Sequence, residues 1–166
     1  MANALFVTLN DVKKFTALNG SIDSDRLIQF IKVAQDVHIQ NYLGHDLFEK
    51  INDDIVASTL ISPYTTLLSD YIKPMLIWYA FSEYLAFAPY HIANKGVYKA
   101  TNEAGETIES NEVDKIVAKA NNNAEHYTER FIKYICNNSA TYPEYNTNSN
   151  GEMTPDKSQN FEGWYL

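Results

Sequence analysis

Little in this chain could cross-link it, hold phosphate or anchor it in a bilayer. Of 166 residues one is cysteine, Cys136, so no internal disulfide can form. It lies beside Tyr134 and Ile135 in an apolar helical stretch, which predicts a small buried hydrophobe rather than a reactive thiol, and a reducing compartment. Positive charge is scarce: 13 Lys and Arg stand against 21 Asp and Glu, for a net charge of −8, and the only arginines are Arg26 and Arg130. Nucleic-acid surfaces are built from clustered Lys and Arg, so that class is excluded. Residues 1–8 carry neither a positive flank nor an unbroken apolar run; they read as no signal peptide, and the protein is expected to stay where it is made. The longest apolar stretch, 72–88, is interrupted by Lys73, Pro74, Ser82 and Glu83. It falls short of the roughly 20 apolar residues a membrane span needs. A glycine-rich phosphate loop, a nucleophile elbow and a Cys/His cluster at metal spacing are all missing, as is any internal repeat.

What is present is helix, and the chain reads as an all-α small helical bundle. Its length suits one domain that buries roughly 70% of its unfolded surface without a disulfide or metal. Thr8, followed three residues on by Asp11, predicts a capped short helix through Phe15, with Val12 and Phe15 on one face. A second helix from Asp23 or Ser24 to Leu43 carries the stripe Leu27, Phe30, Ile31, Ala34, Val37 and His38, and Gly44 closes it. A third spans about Asp46 to Ala57, with Leu47, Ile51 and Ile55 on one side. Ser62-Pro63 then starts a long central helix to about Ala88, apolar over most of its circumference, so it must be wrapped by other helices or another subunit. Pro74 inside it removes a backbone bond to Asp70 and predicts a kink.

From Tyr90 to about Ser110 turn residues and β-formers predict an exposed loop or loose hairpin, an insertion at about 90–110. A last helix, about Asn111 to Asn137, carries Val113, Ile116, Val117, Ala120, Ala124, Tyr127, Phe131, Tyr134 and Ile135 in near-heptad spacing. The helical domain is therefore read as 1–138. The remainder, 139–166, reads as an extended C-terminal docking tail: polar to Asn160, then Phe161-Glu162-Gly163-Trp164-Tyr165-Leu166. An aromatic cluster behind a polar spacer suits a peptide that fills a neighbour's groove, which makes Phe161, Trp164, Tyr165 and Leu166 candidate partner-binding residues.

Candidates for chemistry are few. The four histidines are scattered. His38 on an apolar stripe reads as a satisfied core histidine, and Asp46 beside His45 is a good first-turn residue rather than half of a catalytic pair. Helical di-metal sites use Glu-x-x-His, but Asn123 stands three before His126. Glu125 and Glu129, with Arg130 and Lys133, read as a solvated face, and Asp53-Asp54 is too small a set for a cation. The reading is of a non-enzyme with no cofactor and no metal.

Several short stretches resemble one family. These are 6–14 (FVTLNDVKK) with Thr16, 35–44 (QDVHIQNYLG), 71–76 (YIKPML), 94–97 (NKGV), 124–131 (AEHYTERF) and 142–145 (YPEY). Together they make the chain similar to the helical head-to-tail connector, or adaptor, proteins of tailed bacteriophages, most of all those of crAss-like phages. The resemblance implies a structural virion protein, made in the host cytoplasm and placed at the head–tail junction. It would be one subunit of a homo-oligomeric ring, twelve-fold in such proteins, beneath the portal protein and against other connector or tail proteins. DNA would pass through without sequence-specific binding, and no membrane is involved. The same resemblance adds Tyr142 and Tyr145 to the partner-binding candidates. Two other readings stand beside it: a helical enzyme with an unrecognised site, and an intracellular helical adaptor or regulatory protein that binds a partner through its aromatic C-terminal peptide.

Overall fold

The computed structural model describes residues 3–18, 22–94, 96–99 and 110–158. Among these residues, five helices and one hairpin make the fold. Helix α1 is Leu9–Phe15, and its start shows the capping box: Thr8 Oγ1 accepts the Asp11 N–H at 3.2 Å, while the Asp11 carboxylate accepts the Thr8 N–H at 2.9 Å. Val12 is buried, whereas Phe15, expected on the same face, is 57% exposed. Helix α2 covers residues 24–43 without a break, but its middle, Gln35–Ile39, is a π-helical turn in which Gln40 N–H bonds to the Gln35 carbonyl five residues back. The extra residue shifts the buried stripe by one position, so that Ile39 and Leu43 are buried while Val37, assigned to the stripe, is 57% exposed.

Helix α3 is His45–Val56. Helix α4 covers 64–87 and is continuous through Pro74. The distortion expected there takes the form of a second π-helical turn, Leu68–Ile72, in which the Lys73 N–H bonds to the Leu68 carbonyl. Widening the turn directly before the proline accommodates the ring, which has no N–H to offer the Asp70 carbonyl. The helix starts one residue later than Ser62-Pro63 suggested: Pro63 occupies the cap position, and no side chain caps the helix.

Helix α5, Ser110–Asn137, packs along α4, which in turn packs on α2. These three helices enclose Leu27, Ile31, Ile72, Met75, Leu76, Ala124, Phe131 and Ile135. Sequestering such side chains contributes roughly 1.5–3 kcal/mol each. Cys136 is exposed, contrary to the buried role expected: one residue is about 100° around a helix, and Ile135 takes the inward position. Between α4 and α5 the insertion forms an antiparallel hairpin, β1 Tyr90–Ala93 with β2 Gly96–Lys99, paired from Tyr90↔Lys99 to Ala93↔Gly96. Arg26 fastens its base, donating from one terminal nitrogen to the carbonyls of Phe87 and Tyr90, each at 2.7 Å.

Both ends of the described chain return to this core. At the amino end Phe6 and Val7 are buried, and two polar side chains hold their backbone. Gln35, itself fully buried, accepts the Phe6 N–H at 2.8 Å and donates to the Ala4 carbonyl at 2.9 Å, while Asn52 accepts the Ala4 N–H at 2.9 Å. At the carboxyl end the chain leaves α5, makes a 3₁₀ turn at Pro143–Asn146, and runs as a strap to the junction of α2 and α3. There His45 N–H bonds to Met153 O at 2.8 Å and Asp156 N–H to Asn41 O at 2.9 Å. The boundary at 138 is thereby corrected: residues 139–158 belong to the helical body.

Tyr142 and Tyr145 explain that difference. Both are fully buried, so neither offers a surface to a partner in this fold, which corrects their assignment as partner-binding residues. The Tyr142 ring meets Tyr64 edge-on with centroids 5.5 Å apart, and its hydroxyl lies 3.1 Å from that of Tyr134. Tyr145 packs on Phe131, but among the described residues its hydroxyl has no hydrogen-bond partner. A buried polar group left unpaired is destabilising by roughly 1–3 kcal/mol. Tyr145→Phe is therefore expected to leave the protein equally stable or to stabilise it by about 1 kcal/mol. Urea unfolding checks this, and a loss of that size would show that the hydroxyl is bonded.

Candidate interaction site

Among the described residues, two clefts and a polar cluster bring together side chains suited to binding or chemistry. The cluster is centred on Tyr79. The His38 ring, within the π turn of α2, stacks on Tyr79 with centroids 4.1 Å apart and planes 5° from parallel, and its Nε2 lies 2.8 Å from Glu83 Oε1. Thr128 Oγ1 stands 3.2 Å from the Tyr79 hydroxyl, and burial pushes that phenol above its ordinary pKa. This is a brace joining α2, α4 and α5. His38 is half-buried and paired with Glu83, close to the satisfied histidine expected.

The first cleft, about 410 Å³, opens between α3 and the strap and is bordered by Asp46, Glu49, Asp53, Glu144 and Lys50. Its chemistry is consumed in holding the strap. One Asp46 oxygen accepts from Thr147 Oγ1 at 2.7 Å, from Ser149 N–H at 2.9 Å and from Ser149 Oγ at 2.8 Å. Glu144 accepts the Tyr64 hydroxyl at 2.6 Å. Among the described residues no group of three or more His, Cys, Asp or Glu could hold a metal ion.

The Thr147 hydroxyl and then the Ser149 amide and hydroxyl hold the Asp46 carboxyl below the usual carboxylate range. A group with a depressed folded pKa contributes stability above its unfolded pKa, near 3.9, and loses it as pH falls through the folded value. Acidification from pH 5 toward pH 3 should therefore loosen the strap. In Asp46→Asn that part of the pH dependence should be absent. Urea midpoints of both proteins across this range measure the difference, and parallel curves would contradict it.

The second cleft, about 380 Å³, lies where α1, α4 and α5 meet. The π turn and Pro74 of α4 place Lys73, Ile77 and Trp78 along one wall; α5 adds Tyr127 and Arg130, and α1 adds Phe15 and Asp11. Ile77 is buried at the base, Trp78 and Tyr127 are half-buried, and Phe15 and Arg130 are exposed. Asp11 is engaged elsewhere: bonding by the Thr8 amide is the main reason its carboxyl lies below its ordinary pKa, with a smaller contribution from Lys73. The Arg130 guanidinium lies 4.9 Å from the centroid of the Tyr71 ring, which stacks on Tyr134. The cleft thus combines an aromatic wall with two cations, a combination suited to recognising a peptide that carries aromatic and acidic side chains.

Of the residues expected from sequence to bind a partner, Phe161, Trp164, Tyr165 and Leu166 lie outside the described residues. The cleft was missed because α1, α4 and α5 are far apart in sequence. Arg130 was the available signal, one of two arginines in an acidic chain. Among the described residues no helix is long and apolar enough to cross a membrane.

One family model matches residues 39–155, from the π turn of α2 to the strap residue that touches Gly44; it is described as a family of unknown function, DUF6712. The match spans well over half of the chain, and the chain belongs to that family. No curated protein and no solved structure matches it.

Proposed function

We propose, for this member of the DUF6712 family, that it is a structural subunit of a head-to-tail connector ring, seated beneath a phage portal and surrounding the DNA passage. The observation that carries the reading is the hairpin Tyr90–Lys99. Among the described residues its strands pair only with each other, in a two-stranded sheet. Val97 is 64% exposed. A lone two-stranded hairpin is marginal in water, so an arm of this kind is suited to completion by a neighbouring subunit.

Further support comes from where the connector-like stretches fall. Gln35–Gly44 forms the π turn and the glycine that receives the strap, Tyr71–Leu76 surrounds Pro74, and Tyr142–Tyr145 is the buried strap anchor. These three lie at irregular points of the fold, whereas 6–14 covers the cap and most of α1 and 124–131 lies within α5. Heterologous contacts repeated about an axis close into a ring, and arms are a direct way to make them.

Depleting the protein during infection tests the role. The expected result is DNA-filled heads that lack tails or leak DNA. Complete, infectious tailed particles formed without it would overturn the reading.

A further inference from the structure

We propose that the cleft between α1, α4 and α5 is a receptor for the Phe161–Tyr165 segment of a second copy of this chain. The wall offered is aromatic and open: Phe15 is 57% exposed, and Trp78 and Tyr127 stand beside it over the buried Ile77. Leaving such groups in water is unfavourable, and large exposed aromatic surfaces mark interaction sites. A cavity of about 380 Å³ lies within the range of peptide side-chain and small-ligand pockets, roughly 300–1,000 Å³.

Charge selects the occupant. Lys73 and Arg130 take part in none of the ion pairs among the described residues, in a chain whose net charge is −8, and the one carboxylate in the cleft wall, Asp11, is held by the Thr8 amide with Lys73 acting on it only at longer range. Residues 161–166 carry three aromatic side chains and one charged side chain, Glu162. That set complements an aromatic wall rimmed by two cations: Phe161 and Trp164 supply area, and Glu162 lies between them in sequence to meet Lys73 or Arg130. Fully extended, Phe161 lies at most about 11 Å and Trp164 about 22 Å beyond Ser158, so the proposal requires the cleft of the neighbouring copy to come within that reach of Ser158.

The choice of a second copy rests on the ring reading, because cleft-to-segment contact is heterologous and propagates from one subunit to the next. The two ideas fail separately. A ring at the portal could be held by other contacts, whereas this contact is read on the isolated full-length chain.

The test uses analytical ultracentrifugation of two full-length variants, each damaged on one side of the contact. Arg130→Glu disables the cleft and keeps the segment; Trp164→Ala keeps the cleft and disables the segment. The wild-type chain is expected to associate progressively as concentration rises, and each variant alone to associate at least tenfold more weakly. Mixed together, they should form a dimer and nothing larger, since only one productive contact is left in the pair. Adding Glu162→Lys to Arg130→Glu should restore association to within about threefold of wild type by reversing both charges. If Arg130→Glu does not fold, Lys73→Glu replaces it. A wild-type chain that is monomeric at every concentration, variants that associate as the wild type does, or a mixture that stays monomeric would each overturn the proposal.

Discussion

Replacing Gly44 with alanine should lower the unfolding free energy by about 2–4 kcal/mol, through backbone strain and overpacking at one point. Gly44 ends α2 and precedes α3 with φ of 73°, a region that L-residues with a Cβ enter only at a cost. A Cβ built there would lie 2.5 Å from Pro155 Cδ and 2.6 Å from Pro155 Cγ, well inside contact distance. The strap must therefore lift for the substitution to be accommodated. Loss of the neighbouring His45–Met153 and Asp156–Asn41 backbone bonds should follow. Combining the change with Pro155→Ala should recover the part due to the ring carbons and leave the φ part and the contact with the residue 155 backbone nitrogen, 2.8 Å from the Cβ, so the two substitutions are non-additive. Urea unfolding of the four proteins measures the cycle. A loss below about 0.5 kcal/mol for Gly44→Ala would contradict the account.

The second large effect is expected at Gln35. Its amide makes two bonds to the backbone of residues 4–6, from a fully buried position. Leucine has similar volume and no polar atoms, so Gln35→Leu keeps the packing and leaves the Phe6 N–H and the Ala4 carbonyl without their partner. Such groups are destabilising by roughly 1–3 kcal/mol each when buried, and a total loss of about 2–4 kcal/mol is expected. Hydrogen exchange supplies the local readout: the Phe6 amide should lose protection before the core helices do. Unchanged protection at Phe6 would show that its bond to Gln35 is not what holds the segment.

These two residues also show how far the sequence could be read. Local signals were legible where one element contains its own explanation. Thr8 and Asp11 cap α1 as their spacing requires, and the periodicity of Val113 to Ile135 locates α5 to within a residue at its start. Gly44 was legible as a stop. Its contact with Pro155 was not, because a pattern gives the period of an element and not the partner that covers it. The two π turns were hidden for a related reason: hydrophobic periodicity assumes a constant advance of about 100° per residue, and one inserted residue changes its phase. That phase change is why Val37 faces outward and Ile39 inward; Gln35, four residues after Ile31 and eight after Leu27, lies on the buried face ahead of it. The strap was misread from composition. Two tyrosines among Asn, Ser, Thr and Pro look insufficient to pack alone, yet they complete a core already built by α3, α4 and α5.

For the interaction surfaces, the hairpin was legible in outline because Asn94 and Gly96 are turn residues between β-formers, and its pairing followed. The cleft was not, since its walls come from three helices brought together only by the fold. Arg26 and Arg130 divide the arginine chemistry between them, one fastening the hairpin base and the other rimming the cleft. An acidic chain with two arginines places both beside the features proposed to contact neighbours.

The most direct measurement of the central claim is a reconstruction of the native phage particle at the head–tail junction, into which the five-helix fold is fitted. The account predicts a closed ring of copies on the portal axis, with each hairpin Tyr90–Lys99 reaching an adjacent subunit. Absence of the chain from purified particles, or its presence as scattered copies without rotational symmetry about that axis, would contradict it.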